Sequence, residues 1–478
     1  MKIDYEIISK IMDGVDLYED WYDSSIVYAE FKKLNGQPWL CSVDGETFKG
    51  YLRLMYCELA DTNDELTVAP VLRRLHDILR QNDELERIKV CYRVAGNLST
   101  GMEYFLANKK RQVVQVDAHG IKTTSAKKHK FINRAGTLQQ VVPNEDERDI
   151  FSLLQPYVNL SGDSFTLFVI WLIQAFCDQM HYCLFISAER GSGKSVLTYI
   201  IGELLDPSPS VKCLMPSSLD DLETLLSNQY LCSFDNVSSI SKEYSDTLCV
   251  AVTGGTVSRR KKFFDSDMVY LPVHNVIVLN GIGIAPNESD LAERSLFLSL
   301  KKLRSSELKS QTQIEKSFAL DKPYILHEIF NTLSKAMKVY PGLKPKNPPR
   351  MIDAYTTMLA IALALDITEA DFARMIAENT AAMDKARAVD PLIEAVSEAM
   401  ERCGKRKIEG TSTDVFNLVK HSFSGKPSLL PSTAATFGRR LSQLEAPLKA
   451  AGFRILLDDT GADQNRITII RSKNKTIK

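Results

Sequence analysis

The spacing of apolar positions changes along the 478 residues of this chain. In the first 90 residues, short alternating runs predict strands and helical spacing predicts helices. The predicted elements are strands at 25–31 and 39–43 and helices at 47–60 and 70–82. After residue 90, short strands separated by polar turns follow. We therefore predict an N-terminal α/β accessory domain over residues 1–90 and a small β-rich and helical region over 91–180.

The middle of the chain carries longer, unbroken apolar runs. Residues 149–180 are strongly apolar with helical spacing, and from there to about residue 304 strand-like runs alternate with helical stretches. The strand-like runs are 182–187, 211–214, 231–234, 276–279 and 296–300. Fully apolar strands separated by helices are typical of a mainly parallel sheet covered on both faces. This pattern predicts an α/β core over residues 181–340.

The last part of the chain returns to a compact mixed pattern. Four prolines in the ten residues after Tyr340 predict a stiff linker, which opens a linker and helical segment over 341–385. Residues 386–478 then predict helices at 390–403 and 413–423, a helix capped at Ser432, and strands at 407–411, 453–457 and 466–471. Phe437, Leu441, Leu444 and Leu448 share one face of the capped helix. That order predicts a winged helix-turn-helix domain.

Charge is distributed unevenly, although the formal net charge is only −1. Residues 1–90 carry 11 Lys/Arg against 18 Asp/Glu, a net charge of −7. Residues 386–478 carry 16 against 10, a net charge of +6. A basic terminal region indicates a polyanionic partner, with a merely solvated surface as the alternative.

Cysteine usage and hydropathy argue against several classes of protein. The nine cysteines form no CxxC pair and the seven histidines show no ligand spacing, so neither a disulfide framework nor a zinc site is predicted. The first ten residues lack the apolar core of a signal peptide. The longest apolar stretch, 165–177, is 13 residues long and contains Gln174, which is too short for a membrane span. We expect a cytoplasmic protein with no membrane contact.

The most informative stretch is residues 181–195, where an apolar run, a turn of small residues and a helix-forming segment follow one another. The turn reads AERGSGKS, the Walker A pattern with alanine in place of the first glycine. Its residues are Ala188, Glu189, Arg190, Gly191, Ser192, Gly193, Lys194 and Ser195. The glycines let backbone N–H groups surround phosphate oxygens at the positive end of the next helix. The pattern predicts that Lys194 reaches the β- and γ-phosphates of ATP and that Ser195 binds Mg²⁺.

Three polar residues at the ends of apolar runs extend this site. Asp235, forty-one residues after the Walker A lysine, ends LCSFD as a Walker B aspartate does, and such a carboxylate holds Mg²⁺ through water. Asn280 ends VIVLN, where its amide could orient the attacking water, with an Asn-Gly turn as the alternative. Arg294 is interpreted as an arginine finger for a neighbouring subunit's nucleotide; the alternative is a salt bridge to Asp290 or Glu293.

A basic segment, VTGGTVSRRKKFF, lies between Asp235 and Asn280. Its pattern predicts a hairpin with strands at 257–264 and 268–271 around a turn at 265–267. Four consecutive cations lie on it: Arg259, Arg260, Lys261 and Lys262. A charge run is usually a solvated edge, but inside a ring-shaped ATPase such a hairpin is placed to meet nucleic-acid phosphates in the pore.

Taken together, the motifs AERGSGKS, CSFDN, TGGTVSRRKK, VIVLN and ERSLFL resemble those of superfamily-three helicases. The likeness is to the phage- and plasmid-type primase-helicases and related ATPases of integrated mobile elements, and it covers roughly residues 91–478. The resemblance implies an AAA+ P-loop ATPase that assembles into a ring, expected to be a hexamer, and moves along single-stranded DNA. By motif match, Lys194, Ser195 and Asp235 bind phosphate and Mg²⁺, Asn280 is the sensor, and Arg294 acts in trans.

Two departures and two alternatives accompany this hypothesis. Many relatives carry a second acid beside the Walker B aspartate, but here the neighbour is Asn236, so Glu189, Glu243 and Asp246 remain candidate bases. Residues 1–90 show no cluster of acids that would make a primase site, so we predict a helicase without priming activity.

In the winged domain, Arg439 and Arg440 are the candidates for binding duplex DNA. The alternatives are an ATP-dependent switch or helicase loader that does not translocate, and a defence or signalling ATPase whose winged domain docks proteins.

Overall fold

The computed structural model describes residues 3–471, apart from 34–35, 63–65, 82–84, 127, 135, 190, 210–211, 238, 261–267, 388–389, 425–429 and 459–465. Within these residues the chain is a mixed α/β protein with several separate sheets. Among them, no helix combines the length and the apolar character that a bilayer span requires.

The first 90 residues form a small sheet covered by helices. Its elements are α1 (Tyr5–Met12), β1 (Val15–Asp20), β2 (Val27–Lys32), β3 (Pro38–Ser42), α2 (Glu46–Ala60), α3 (Val68–Leu79) and β4 (Arg87–Ile88). The strand order is β3-β2-β1-β4, with β1 antiparallel to β2 and parallel to β4. Phe48, Leu52 and Tyr56 bury one side of α2 against this sheet, which is the period expected of an amphipathic helix.

A second set of strands follows and leads into apolar helices. Its elements are β5 (Val90–Cys91), β6 (Val94–Asn97), β7 (Gly101–Phe105), β8 (Gln112–Asp117), β9 (Gly120–Ser125), β10 (Lys130–Phe131), α4 (Ile150–Leu154) and α5 (Gly162–Gln174). Strands β6 to β9 form an antiparallel meander in sequence order, and β10 pairs with β5 in parallel. The apolar stretch from 149 to 180 is therefore two helices separated by a loop.

The centre of the molecule is a parallel sheet. The elements of this part of the chain, which include a separate hairpin of β13 and β14, are β11 (Cys183–Ala188), α6 (Lys194–Leu205), α7 (Leu219–Leu226), β12 (Leu231–Phe234), α8 (Lys242–Thr253), β13 (Gly255–Arg260), β14 (Met268–Val273), β15 (Val276–Gly281), α9 (Ser289–Ala292), β16 (Ser295–Leu300) and α10 (Gln311–Val339). The order β12-β15-β11-β16 is parallel throughout, and Cys213 adds a parallel bridge to Phe234 beyond β12. The predicted parallel sheet is confirmed.

Side chains alternate across this sheet and bury both of its faces. Leu184 and Ile186 of β11 point to a layer that includes α5, α6 and α10. Cys183 and Phe185 of the same strand point to the opposite layer, which includes α7, α8 and α9. Because both faces are largely apolar, the polar side chains of the candidate site lie at the two ends of the sheet, where its strands begin and end.

The remaining elements are helices followed by a small C-terminal unit. They are α11 (Ile352–Ala364), α12 (Glu369–Arg387), α13 (Pro391–Cys403), β17 (Lys407–Thr411), α14 (Ser412–Ser422), α15 (Ala434–Gln443), α16 (Glu445–Ala450), β18 (Phe453–Asp458) and β19 (Arg466–Arg471). Strands β17, β19 and β18 form one antiparallel sheet over a separate apolar core.

The C-terminal unit departs from the sequence prediction at one helix. The cap of α15 is Thr433, whose hydroxyl accepts the N–H of Thr436 at 3.2 Å, and not Ser432. The helix also ends before Leu444, and α16 continues the chain. The four predicted apolar positions, Phe437 to Leu448, are nevertheless buried in one core, because the short second helix keeps them on the same side.

Candidate functional site

The glycine-rich turn joins β11 to α6 at the C-terminal edge of the parallel sheet. Gly191 and Gly193 have φ angles of 78° and 86°, a region that L side chains rarely adopt. Gly193 is the N-cap of α6, and its carbonyl accepts the N–H groups of Val196 and Leu197, both at 3.0 Å. The turn therefore ends directly on the positive end of a helix dipole.

Neighbouring segments hold this turn in place. The side-chain amide of Asn159 donates to the carbonyl oxygens of Ser192 at 2.8 Å and Lys301 at 2.6 Å. The Leu303 N–H donates to the Gly191 carbonyl at 3.2 Å. Ser192 itself is 1% exposed. Contacts from the loop before α5 and from the segment after β16 thus pre-form the shape of the turn.

Lys194 and Ser195 occupy the first turn of α6. The Lys194 ammonium folds back and donates to the carbonyl oxygens of Ala188 at 2.5 Å and Glu189 at 3.2 Å. The hydroxyl-bearing Ser195 is exposed, as is Glu189. Arg190 lies outside the described residues. The turn accordingly presents a lysine, a serine and a helix N-terminus together at one edge of the sheet.

The predicted carboxylate and the predicted sensor meet at the same edge. Asp235 is half-buried directly after β12, and its Oδ1 accepts the Asn236 N–H at 2.8 Å. Asn236 is exposed, with a φ of 56°. Asn280 is fully buried near the end of β15, and its Oδ1 lies 3.4 Å from the same N–H. Its Nδ2 donates to the hydroxyl of Thr198 on α6 at 3.0 Å.

This one amide therefore connects the two halves of the site. Strand β15 lies between β11 and β12, which places the glycine-rich turn and the Asp235 turn about 10 Å apart, since adjacent strands are separated by about 4.8 Å. The Asn280 backbone carbonyl also accepts the Val237 N–H at 2.9 Å. The sequence predicted Asn280 as a candidate but gave no sign of Thr198, 82 residues away, as its partner.

Arg294 lies at the opposite edge of the sheet from the glycine-rich turn. It directly precedes β16, and its carbonyl accepts the N–H of Cys183 at the start of β11 at 2.9 Å. Its Nε lies 3.2 Å from Asp290 Oδ2, and its Nη2 donates to Asp290 Oδ1 at 3.4 Å. The salt bridge considered as the alternative interpretation is thus present in the single chain. Burial raises the pKa of Asp290, but hydrogen bonds from Cys249 and Arg294 and the charges of Arg294 and Arg350 lower it below its usual range.

The basic hairpin is present as β13 and β14, paired antiparallel from Gly255–Val273 to Arg260–Met268. The backbone of Arg259 and Arg260 lies on β13. Lys261, Lys262 and the predicted turn lie outside the described residues. Tyr270 of β14 is 53% exposed, so this hairpin projects at least one aromatic side chain to its surface.

A partly buried cluster of charged side chains holds the base of the hairpin. Asp178 lies 2.9 Å from Nδ1 of His274, which follows β14, and 3.1 Å from the Lys89 ammonium between β4 and β5. Burial raises the pKa of Asp178, but its hydrogen bonds and ion pairs with His274 and Lys89 outweigh this and hold the pKa well below its usual range. One carboxylate thus ties the hairpin to the N-terminal part of the chain.

The two arginines predicted for duplex DNA have different surroundings. Arg439 of α15 is exposed. Arg440 is partly buried, and its Nη2 donates to the Asp390 carboxylate at 2.7 Å. Asp390 also caps α13. The Arg440 guanidinium is therefore engaged within the C-terminal unit, and duplex DNA binding by Arg439 and Arg440 stays a prediction.

One known protein family matches the middle of the chain. Residues 152–342 match the family model described as actinomycete integrative conjugative element replication protein. The matched range includes the glycine-rich turn, Asp235, Asn280 and Arg294. This segment is similar to a replication protein of a mobile element.

Two solved structures of the NrS-1 C-terminal region, both described as A-form apo structures, align with the chain. Each is 12% identical to it and covers 98% of both chains, with TM-scores of 0.40 and 0.37. At that level of superposition the likeness carries no conclusion about function. No curated protein matches the chain.

Removing the carboxylate of Asp178 at the base of the hairpin should destabilise the protein. We expect Asp178→Asn to lower the free energy of unfolding by about 2 kcal/mol at neutral pH, because a partly buried carboxylate that pairs with both His274 and Lys89 is lost. Since the pKa of Asp178 is depressed in the folded state, its stabilisation is present above its unfolded pKa of about 4 and is lost as the pH falls further. The variant should therefore lose less stability on acidification.

Denaturant titrations followed by circular dichroism between about pH 3 and 7 would test this. Asp163→Asn is a matched control, because Asp163 pairs with Arg374 in a largely exposed position. Equal effects of the two substitutions at neutral pH would contradict the structural role given to Asp178.

Proposed function

We propose that this protein is an ATP-dependent DNA helicase and replication initiator of a phage or mobile element, working as a ring of identical subunits, for which a hexamer is the expected size. The similarity of residues 152–342 to a mobile-element replication protein supports the biological setting. The arrangement of polar groups at the edge of the parallel sheet supports the ATPase chemistry.

The residues at this end of the sheet are suited to binding a nucleoside triphosphate with Mg²⁺. Two left-handed glycines and the α6 N-terminus form a concave set of backbone N–H groups suited to phosphate oxygens. Lys194, now bound to carbonyl oxygens of its own turn, would exchange them for phosphate oxygens. Ser195 and Asp235 would hold Mg²⁺, which when bound neutralises charge on the β- and γ-phosphates.

The observation that carries this proposal is the double role of Asn280. Its buried amide donates to α6, which begins at the glycine-rich turn, and lies beside the N–H that follows Asp235. A shift at either half of the site is thereby transmitted to the other half. Such a connection suits a site in which phosphate and metal must be held in one geometry.

The position of Arg294 supports assembly into a ring. Strand β11 has six residues, so the edge that carries Arg294 is about 17 Å from the glycine-rich turn at about 3.3 Å per residue. Arg294 is therefore unable to reach a nucleotide bound by its own turn without rebuilding the sheet. A neighbouring copy that docks this edge against the turn would supply the missing guanidinium.

DNA would bind at two places. The hairpin of β13 and β14 would meet the backbone of a single strand through Arg259, Arg260, Lys261 and Lys262, with the exposed Tyr270 available for stacking on bases. The C-terminal unit, which we interpret as a winged helix, would bind duplex DNA through Arg439 on α15. Its net charge of +6 suits this role.

Removing the lysine of the turn tests the central claim. We expect Lys194→Ala to lower DNA-stimulated ATP hydrolysis at least about 100-fold, because a group that stabilises charge on the transferred phosphate is lost. Lys335→Ala, at an exposed position of α10, is the control and should hydrolyse ATP like the wild type. If the wild-type protein neither hydrolyses ATP with DNA present nor unwinds forked DNA, the proposal is wrong.

Strand β15 offers a matched pair of variants for Asn280. Asn275 is also fully buried, and its amide donates to the carbonyls of Leu226 at 2.8 Å and Gln229 at 2.5 Å at the other end of the strand. Asn280→Asp and Asn275→Asp should each destabilise the fold by about 1–3 kcal/mol, because both leave buried polar groups unpaired. Only Asn280→Asp should also weaken ATP turnover by more than tenfold at temperatures where both variants are folded.

Calorimetric unfolding and steady-state hydrolysis measured on the same samples would separate the two effects. Equal losses of turnover in both variants would show that Asn280 matters only for folding.

A second candidate function is an ATP-dependent switch or loader that binds DNA without translocating. The observation that favours it is Asn236, an exposed amide at the position beside Asp235 where a second acid would activate water. The other candidate bases on α8, Glu243 and Asp246, are exposed.

Neutralising the hairpin distinguishes the two functions. For a translocase, replacing Arg259, Arg260, Lys261 and Lys262 by glutamine should abolish the stimulation of ATP hydrolysis by single-stranded DNA and reduce the salt dependence of DNA binding. For a switch, turnover should already be slow in the wild type, with ATP retained for many minutes. Hydrolysis rates with and without DNA, at several salt concentrations, would decide between them.

A further inference from the structure

A second arginine lies beside Arg294 at the beginning of the parallel sheet. Arg350 follows the proline-rich segment, and its Nη1 donates to Glu293 Oε2 at 3.0 Å and also to Oδ1 of Asp290. Arg294 Nη2 donates to that same Oδ1 atom. Two guanidiniums from segments 56 residues apart thus share one carboxylate oxygen.

The two side chains differ in their access to a partner. The side chain of Arg294 is 17% exposed and that of Arg350 is 52% exposed. Asp290 and Glu293, which hold Arg350, are 40% and 54% exposed. Arg350 is consequently the guanidinium that already stands at the surface, whereas Arg294 lies behind it against α9.

The backbone around Arg350 restricts where its side chain can go. Pro348 and Pro349 precede it, and proline fixes φ and removes a backbone donor. The Lys346 N–H donates to the Glu369 carboxylate of α12 at 2.8 Å, which anchors the segment to the helical layer. Arg350 is therefore presented from a stiff, fastened segment and not from a long free loop.

We propose that Arg350 contacts the γ-phosphate of ATP bound by the neighbouring subunit, as a second guanidinium beside Arg294, and that Asp290 holds the two together until that phosphate replaces it. This inference rests on the proposed function and names a further catalytic residue for it. A planar guanidinium binds phosphate oxygens in a two-pronged manner, and two of them match the charge of a terminal phosphate better than one.

Asp290 has the properties required of a temporary partner. Its carboxylate and that of Glu293 together balance the two positive charges, which would otherwise repel each other at contact distance. Because all but Arg294 are substantially exposed, these ion pairs are of the weak, solvent-screened kind. A phosphate at the subunit boundary can displace them at little cost.

Variants of Arg350 test its role in turnover. We expect Arg350→Ala to reduce kcat about 100-fold or more, as loss of a trans-acting arginine does, with nucleotide affinity and ring assembly retained. Arg350→Lys should recover only part of the rate, because an ammonium lacks the two-pronged geometry. Arg374→Ala is the control: Arg374 is also about half exposed and pairs with Asp163 and Glu378, and its loss should change kcat by less than about twofold.

Mixing experiments distinguish a contribution in trans from a structural one. A mixture of Arg350→Ala and Lys194→Ala subunits should hydrolyse ATP faster than the two preparations do separately, because it creates sites with an intact turn facing an intact arginine. An inactive Arg350→Ala variant that shows no such recovery would mean that Arg350 acts within its own subunit. A fully active Arg350→Ala variant would overturn the proposal outright.

A measurement that does not depend on hydrolysis completes the test. ATP carrying a benzophenone on its γ-phosphate should, on illumination, label the peptide around Arg350, and the label should disappear when assembly is prevented by dilution. Label found in the glycine-rich turn but never near Arg350 would refute this inference while leaving the nucleotide site standing. Absence of label at both places would instead refute the nucleotide site itself.

Discussion

The candidate site of this protein depends on a buried amide at the end of a central strand. Asn280 has no exposed surface, and leaving such a group unpaired would cost the free energy of a lost hydrogen bond. Its donor is directed to Thr198 on α6, its side-chain oxygen lies beside the Asn236 N–H, and its backbone carbonyl accepts from Val237. One of these contacts joins β15 to α6 and the other two join it to the turn that follows Asp235, so the positions of the glycine-rich turn and the Asp235 turn are not independent.

The parallel sheet explains why these groups meet at one edge. The side chains of its strands alternate between two layers that are mostly apolar. Polar residues are therefore placed where strands end. At the carboxyl ends they build a site rich in donors and a carboxylate, and at the amino ends they build an ion-pair cluster around Asp290. A single chain thus carries two complementary edges, one able to hold an anion and the other able to supply cations.

Sequence patterns predicted the elements of this arrangement well, because the signals are local. The apolar run before AERGSGKS, the glycines and the helix-forming segment lie within about 25 residues, and the structure has β11, the turn and α6 there. The strand ends that carry Asp235, Asn280 and Arg294 were identified for the same reason. Roles for these residues stay predictions, since geometry alone does not test chemistry.

Partners that are distant in sequence were the ones that the patterns did not reveal. Asn280 bonds to a residue 82 positions away, Arg440 to one 50 positions away, and Arg350 to one 60 positions away. Such pairs depend on how whole elements pack, and no periodicity encodes them. The predicted N-cap residue of α15 was wrong for a different reason. Ser432 and Thr433 are adjacent and both residue types can cap a helix, so the choice depends on the hydrogen bonds to Thr436.

The pairing of Arg294 with Asp290 does not argue against action on a neighbouring subunit. An isolated chain must neutralise a guanidinium somewhere, and the nearest carboxylate, four residues earlier on α9, does so. The bond from Arg294 Nη2 to Asp290 is long at 3.4 Å, and within the described part of the chain the Arg294 Nε–H has no well-aligned acceptor. Charge-assisted bonds to phosphate are shorter and stronger than this. An arginine held so loosely is poised to exchange its partner, whereas one required only for folding would be expected to make the full set of bonds that its five donors allow.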